Sequence, residues 1–79
     1  MENDSQTEDE ENVLQLSYEI IQLIEQNISL FNDEETEEVL IANNSLEFFL
    51  DQNDLKRAII EATNLKKYLI KLKRNKQQQ

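Results

Sequence analysis

Apolar residues recur at helical spacing in three stretches of the chain, and each stretch predicts one amphipathic helix. The most regular stretch runs from Asp54 to Arg74. Its apolar members are Leu55, Ala58, Ile59, Ala62, Leu65, Leu69, Ile70 and Leu72. They predict a third helix near residues 54–74, whose closing Lys and Arg residues lie at the negative end of the helix dipole.

The first stretch carries an unusually wide apolar stripe. One face gathers Val13, Leu16, Ile20, Leu23, Ile24 and Phe31, and a flank adds Leu14, Tyr18, Ile21 and Ile28. This pattern predicts a helix near residues 9–31 whose apolar arc covers more than half of its circumference. A helix at the edge of a monomeric bundle needs a narrower stripe. The first helix therefore either lies between two helices of its own chain or contributes to a second interface.

The second stretch opens with a strong start signal. Asn32 can cap a helix, and Glu35 stands three residues later, at the capping-box position. The helix near residues 33–51 is expected to bury Val39, Ala42, Leu46, Phe49 and Leu50. Ile41 and Phe48 point to the opposite side, and Leu40 lies between the two faces. The Asn and Asp residues at 51–54 predict a turn, because their side chains bond the nearby backbone and tolerate left-handed conformations.

The composition fits an all-helical fold. The chain has 79 residues, no Gly and no Pro, so it lacks the residues that most strongly interrupt helices. The sequence predicts a compact all-α, three-helix up-down-up bundle at residues 9–75, an acidic disordered arm at residues 1–8 and a frayed polar tail at residues 76–79. A helical hairpin that dimerises into a larger bundle is the alternative.

Charge is divided sharply along the chain. The net charge is −9, yet all eight basic residues follow Asp54. In an up-down-up bundle the start of the second helix and the end of the third lie at the same end, so we expect their charges to neutralise each other. The residues assigned to this pairing are Glu34, Glu35, Glu37, Glu38, Lys66, Lys67, Lys71 and Arg74. An acidic surface on a partner, nucleic acid and an anionic membrane are less favoured counterparts for the basic cluster.

The residues of most catalytic and metal sites are missing. The chain has no His and no Cys, which removes the commonest general base, the thiol nucleophile and the usual zinc ligands. Carboxylates concentrated in the first turns of helices normally face solvent. The sequence therefore predicts a non-enzyme with no cofactor, metal or small-molecule substrate.

The apolar residues left over from a single core suggest a binding surface. They are Leu14, Tyr18, Ile21, Leu40, Ile41 and Phe48. We expect a protein-interaction module or small regulator that binds another protein or itself, as a homodimer. One alternative is an acidic inhibitor that mimics nucleic acid and occupies a basic cleft. The other is nucleic-acid or anionic-surface binding through the basic end of the third helix.

The sequence gives no sign of membrane insertion. It contains no long apolar run, and its acidic opening is the reverse of the positive start of a signal peptide. A soluble, intracellular and cytoplasmic protein is expected.

Overall fold

A computed structural model describes the backbone of residues 2–77 and the side chains of residues 8–76. Helix α1 spans Glu2–Asn27 and is followed by a 3₁₀ turn at Ile28–Leu30. Helices α2 and α3 span Asp33–Asp51 and Leu55–Gln77. The three helices pack against each other and no strand occurs at residues 2–77, so the predicted all-α three-helix bundle is confirmed.

The chain is helical further toward both ends than predicted. Helix α1 begins at Glu2 rather than near residue 9, because no Gly or Pro interrupts it and its opening acids interact favourably with the helix dipole. Helix α3 reaches Gln77 rather than residue 74. Residues 1, 78 and 79 and the side chains of residues 2–7 and 77 lie outside the described part. The disorder expected at residues 1–8 and the division into arm, bundle and tail stay predictions.

Helix α1 also ends before residue 31, at a buried asparagine. The side chain of Asn27 is 5% exposed, and its Nδ2 donates to the carbonyl of Leu23 at 2.8 Å. The backbone of Asn27 leaves helical geometry at φ −123°, and Phe31 is extended at φ −84° and ψ 141°. The predicted regular helix to residue 31 is therefore replaced by one 3₁₀ turn. Asparagine accepts this ending because its side chain competes for backbone hydrogen bonds.

The core residues repeat at alternating spacings of three and four in each helix. In α1 this repeat comprises Val13, Leu16, Ile20, Leu23 and Asn27; in α2 it comprises Val39, Ala42, Leu46 and Phe49; and in α3 it comprises Ala58, Ala62, Leu65, Leu69 and Leu72. Such a repeat keeps one narrow face of each helix toward its neighbours, as in coiled coils and helical bundles.

Helix α3 is the central element of the bundle. It packs along both α1 and α2 at short Cα distances, whereas few Cα atoms of α1 and α2 come within 8 Å of each other. The two alanines of its core repeat, Ala58 and Ala62, are fully buried. Their small side chains permit this close approach. The side of α1 and α2 that is turned away from α3 is covered by no other described helix.

The two turns form as their sequences predict. At the start of α2, Asn32 Oδ1 accepts from the backbone of Glu35 at 2.7 Å, and Glu35 Oε1 accepts from the backbone of Asn32 at 3.0 Å. This is the predicted capping box. At the end of α2, Asn53 takes φ 58°, and the amide of Asp54 donates to the carbonyl of Phe49 at 2.9 Å. These contacts make the left-handed helix ending in which Asn replaces the usual Gly.

Replacing Asn32 by Ala is expected to lower the free energy of unfolding by about 1 kcal/mol, because the backbone N–H of Glu35 loses the side-chain oxygen that accepts its hydrogen bond. Asn44→Ala is the matched control, since Asn44 is exposed in the middle of α2. There Ala should stabilise by a few tenths of a kcal/mol through helix propensity. Urea denaturation of both variants measures the difference, and equal values for the two would contradict the role of the cap.

Candidate functional site

The six residues assigned to an interface are all exposed. Leu14, Tyr18, Ile21, Leu40, Ile41 and Phe48 keep between 49% and 68% of their surface in solvent. Ile28 behaves in the same way, at 44%. They therefore lie outside the core that the three helices form, and their role in binding stays a prediction.

Two hydrogen-bonded pairs establish which side of each helix faces which neighbour. Tyr68 of α3 donates to Glu38 of α2 at 2.6 Å, so the side of α2 that carries Glu38 faces α3. Lys66 of α3 pairs with Glu19 of α1, so the side of α1 that carries Glu19 also faces α3. The opposite sides of α1 and α2 then face each other across the groove.

Four of the exposed apolar residues border the groove between α1 and α2. By helical position, Leu14 and Ile21 lie on the side of α1 that faces α2, and Leu40 lies on the side of α2 that faces α1. Ile28 follows them in the 3₁₀ turn after α1. At one end of the groove, Leu14 and Leu50 line a shared cleft of about 270 Å³ together with Leu55. We call this surface the α1–α2 groove. Its four apolar residues lie outside the core and are exposed.

Ile41 and Phe48 belong to a different surface. They lie on the side of α2 that faces α3 and line a shallow cleft of about 360 Å³ with Asn44, Ser45 and Phe49. Phe48 also contacts Phe49 edge to face, with ring centroids 5.8 Å apart. The structure therefore divides the six residues between two surfaces. Tyr18 belongs to neither, because it points directly outward and its hydroxyl accepts from Gln22 Nε2 at 3.0 Å.

The acidic start of α2 does meet the end of α3, but through a residue that was assigned to the frayed tail. Lys76 pairs with Glu35 at 3.0 Å. Lys66 instead pairs with Glu19 of α1. Lys67, Lys71 and Arg74 are exposed and form no ion pair with any described side chain. Neutralisation of the two charge blocks as a whole, including Glu34 and Glu37, stays a prediction.

Helical position explains why Lys76 takes this role. It continues the core repeat of α3, four residues after Leu72, so its chain starts from the inner face and reaches Glu35 at the end of the bundle. Lys67 and Arg74 start from the outer face of α3. The net charge of the end of α3 suggested a pairing with the start of α2. The core repeat of α3 identifies Lys76 as the residue that makes it.

The paired carboxylates have pKa values below their ordinary range. The pKa of Glu35 is lowered by the backbone hydrogen bond from Asn32 and then by Lys76. The pKa of Glu19 is lowered by Lys66 and by the hydrogen bond from Gln15. Both groups stabilise the fold above their unfolded pKa, and this contribution is lost as the pH falls.

Tyr68 shows the opposite shift. Its hydrogen bond to Glu38, together with partial burial, raises the pKa of Tyr68 to about 12. Ionising the hydroxyl would remove the donor and bring two negative charges together. Because the folded pKa exceeds the ordinary value of 10.0, the contribution to stability is fully present below pH 10 and is lost as the pH rises toward 12.

A Tyr18→Phe background leaves Tyr68 as the single tyrosine, since the chain has two. In that background, an ultraviolet titration is expected to place the pKa of Tyr68 near 12, and Glu38→Gln is expected to lower it toward 10.0. Unfolding of the Glu38→Gln protein should depend less on alkaline pH. Equal tyrosine pKa values with and without Glu38 would contradict the hydrogen bond.

Two kinds of site are not found among the described residues, a cluster that could hold a metal ion and a helix that could span a membrane. No group of three or more Asp and Glu residues among them is arranged to hold a metal ion. None of the described helices combines the length and apolarity that crossing a membrane requires. The clefts at the surface are shallow, and those described above are lined mainly by apolar and amide side chains.

Comparisons of the chain with protein-family models, with curated proteins and with solved structures each found no match. The function must therefore be inferred from the surfaces of the molecule itself.

Proposed function

We propose that this protein is a non-catalytic protein-interaction module, a small regulatory domain that binds an α-helix of another protein in the α1–α2 groove. The observation that carries the proposal is the exposure of Leu14, Ile21, Ile28 and Leu40 along one groove between two helices that do not pack closely. A fourth amphipathic helix laid there would cover all four residues. Four-helix bundles and helix-in-groove complexes use this arrangement.

The energetics favour a covered groove. Burying apolar surface contributes about 25 cal/mol for each Å² removed from water. Contiguous apolar surface on a small monomer is typical of a binding site. Leu14, Ile21 and Leu40 lie on regular helices, so a partner would meet a preorganised surface and little ordering of this chain would oppose binding.

The other functions have less support. A nucleic-acid mimic would use the acids at the start of α2, where Glu35 is engaged by Asn32 and Lys76 and Glu38 by Tyr68. Nucleic-acid binding through α3 would rely on its basic side chains, yet Lys66 and Lys76 already pair with acidic residues of α1 and α2. Both functions remain alternatives, and the experiment below distinguishes DNA binding through α3 from binding in the groove.

The proposal is tested by selecting displayed helical peptides of about 18 residues, which span the groove at 1.5 Å per residue. The peptides carry fixed Leu at helical spacing and are selected on the wild-type protein. Binders are expected to lose affinity by about tenfold or more on Leu40→Asp, because a carboxylate is then buried against the peptide. Ile60→Asp is the matched control, since Ile60 is 58% exposed on α3 and lies away from the groove.

The outcomes separate the candidate functions. Peptides that bind both variants equally, or a selection that yields no binder, would overturn groove binding. A gel shift with duplex DNA that Leu40→Asp leaves unchanged would favour the basic end of α3 instead. Circular dichroism of each variant must match the wild type for the comparison to count.

A further inference from the structure

We infer that the helix bound in the α1–α2 groove is basic, with Lys or Arg on both sides of its apolar stripe. This inference rests on the proposed function and names the class of partner. It follows from the charges along the two walls of the groove and from the position of every basic residue in the chain.

Acidic residues border the groove on both walls. By helical position, Glu10 and Glu25 flank the apolar residues of α1, and Asp33, Glu47 and Asp51 flank Leu40 on α2. All five are exposed, and none forms an ion pair with a described side chain. Both walls therefore combine apolar side chains with negatively charged carboxylates.

No basic residue of the chain can neutralise these walls. The first basic residue in the sequence is Lys56, and all eight basic residues lie on α3. Helix α3 packs on the inner side of α1 and α2, on the far side from the groove. The groove thus keeps a negative potential that attracts a cationic partner and disfavours an acidic one.

A second copy of this chain fits the groove poorly. Two grooves meeting face to face would bring carboxylates against carboxylates, which opposes a two-fold dimer. The basic helix of a second copy also lacks a suitable stripe. Its exposed apolar residues Ile60 and Ile70 are ten positions apart and lie on different sides of α3, because Leu65 and Leu69 are used in the core.

The dimensions of the groove define the partner further. From Leu14 to the end of α1 at Asn27 is 13 residue steps, or about 20 Å at 1.5 Å per residue. The partner is therefore an amphipathic helix of about four turns, with apolar residues at spacings of three, four and seven. Basic residues on either side of that stripe would lie opposite Glu10 and Glu25 on one wall and Glu47 and Asp51 on the other.

The test uses the same displayed peptides, with the positions beside the apolar stripe drawn equally from Lys, Glu and Gln. Selection on the wild-type protein is expected to enrich Lys there. A Lys-flanked peptide should bind about tenfold more tightly than its Glu-flanked counterpart at low salt. The difference should shrink at about 0.5 M salt, where screening is strong.

A charge reversal locates the effect. Glu47→Lys is expected to weaken the Lys-flanked peptide and strengthen the Glu-flanked one by several-fold each. Glu34→Lys is the matched control, because it makes the same change on α2, at an exposed position on the side that faces α3. The control should leave the preference unchanged, and equal effects of the two reversals would overturn the inference.

The remaining outcomes decide between partners. Groove-dependent binders with neutral or acidic flanks would overturn the basic partner while the proposed function stands. The absence of any groove-dependent binder would overturn both. Sedimentation over a concentration series tests whether a second copy of this chain occupies the groove. A dimer that Leu40→Asp dissociates would assign the groove to that second copy. A monomer throughout the series supports a separate partner.

Discussion

Leu46→Ala is expected to lower the free energy of unfolding by about 2 to 5 kcal/mol, whereas Leu40→Ala is expected to lower it by less than about 1 kcal/mol. The two substitutions remove the same atoms from the same helix. Leu46 is 2% exposed and belongs to the core repeat of α2, and Leu40 is 51% exposed beside the α1–α2 groove. Truncating Leu46 leaves a cavity between helices, but truncating Leu40 leaves only solvent.

The loss at Leu46 is large for a chain of this size. A single core in a domain of this size rarely supplies more than about 3 to 5 kcal/mol, so Leu46→Ala should bring the protein close to unfolding at ambient temperature. Urea denaturation followed by circular dichroism measures both variants. It should be repeated over a range of protein concentrations, because self-association would add to apparent stability. Equal losses at the two positions would show that Leu40 is covered in solution by this protein itself.

Much of the fold could be predicted from the sequence because the relevant signals are local. Three stretches of helical periodicity give the three helices, the Asn32 and Glu35 pair gives the start of α2, and the Asn and Asp residues near Asn53 give the second turn. The ends of α1 were less predictable. Its start depends on weak propensities summed over acidic residues, and its finish depends on the burial of Asn27, which is a tertiary property.

The candidate site could be predicted only in part. Periodicity identifies Leu40, Ile41 and Phe48 as surplus to one core, and all three are exposed. It does not reveal that Leu40 borders α1 whereas Ile41 and Phe48 border α3. That distinction depends on which side of α2 each neighbour occupies, and the order of helices around the bundle is set by the turns and the global packing. The spacing of Ile41, Asn44, Ser45 and Phe48 was nevertheless a usable signal for one shared cleft.

The ion pairs between helices were also only partly predictable from the sequence, because they depend on how the helices pack. Segment charges correctly suggest that the start of α2 and the end of α3 attract each other. Lys76 makes that contact because it continues the core repeat, while Lys66 reaches α1. Since all the basic residues lie on one helix, the same distribution leaves the two walls of the α1–α2 groove acidic. The placement of all basic residues on α3 thus determines both the ion pairs between helices and the negative charge of the α1–α2 groove.

The small residues of α3 determine how closely the helices approach. Enlarging one of them is therefore expected to change the free energy of unfolding strongly. Ala62 is fully buried. The Glu19–Lys66 and Glu38–Tyr68 pairs place it level with residue 15 of α1 and residue 44 of α2. A longer side chain at this level would have to push α3 away from both neighbours. Interiors packed this closely accommodate added methylene groups only through strained rotamers or backbone shifts.

Ala62→Leu is therefore expected to lower the free energy of unfolding by about 1 to 3 kcal/mol, although Leu is a strong helix former. Asn64→Leu adds an apolar side chain two residues later, at an exposed position, and should be neutral or slightly stabilising because only helix propensity changes. Thermal and urea denaturation of the pair separate the two effects. If Ala62→Leu were as stable as Asn64→Leu, α3 would have room at its centre and would not hold α1 and α2 at the spacing that leaves the α1–α2 groove open.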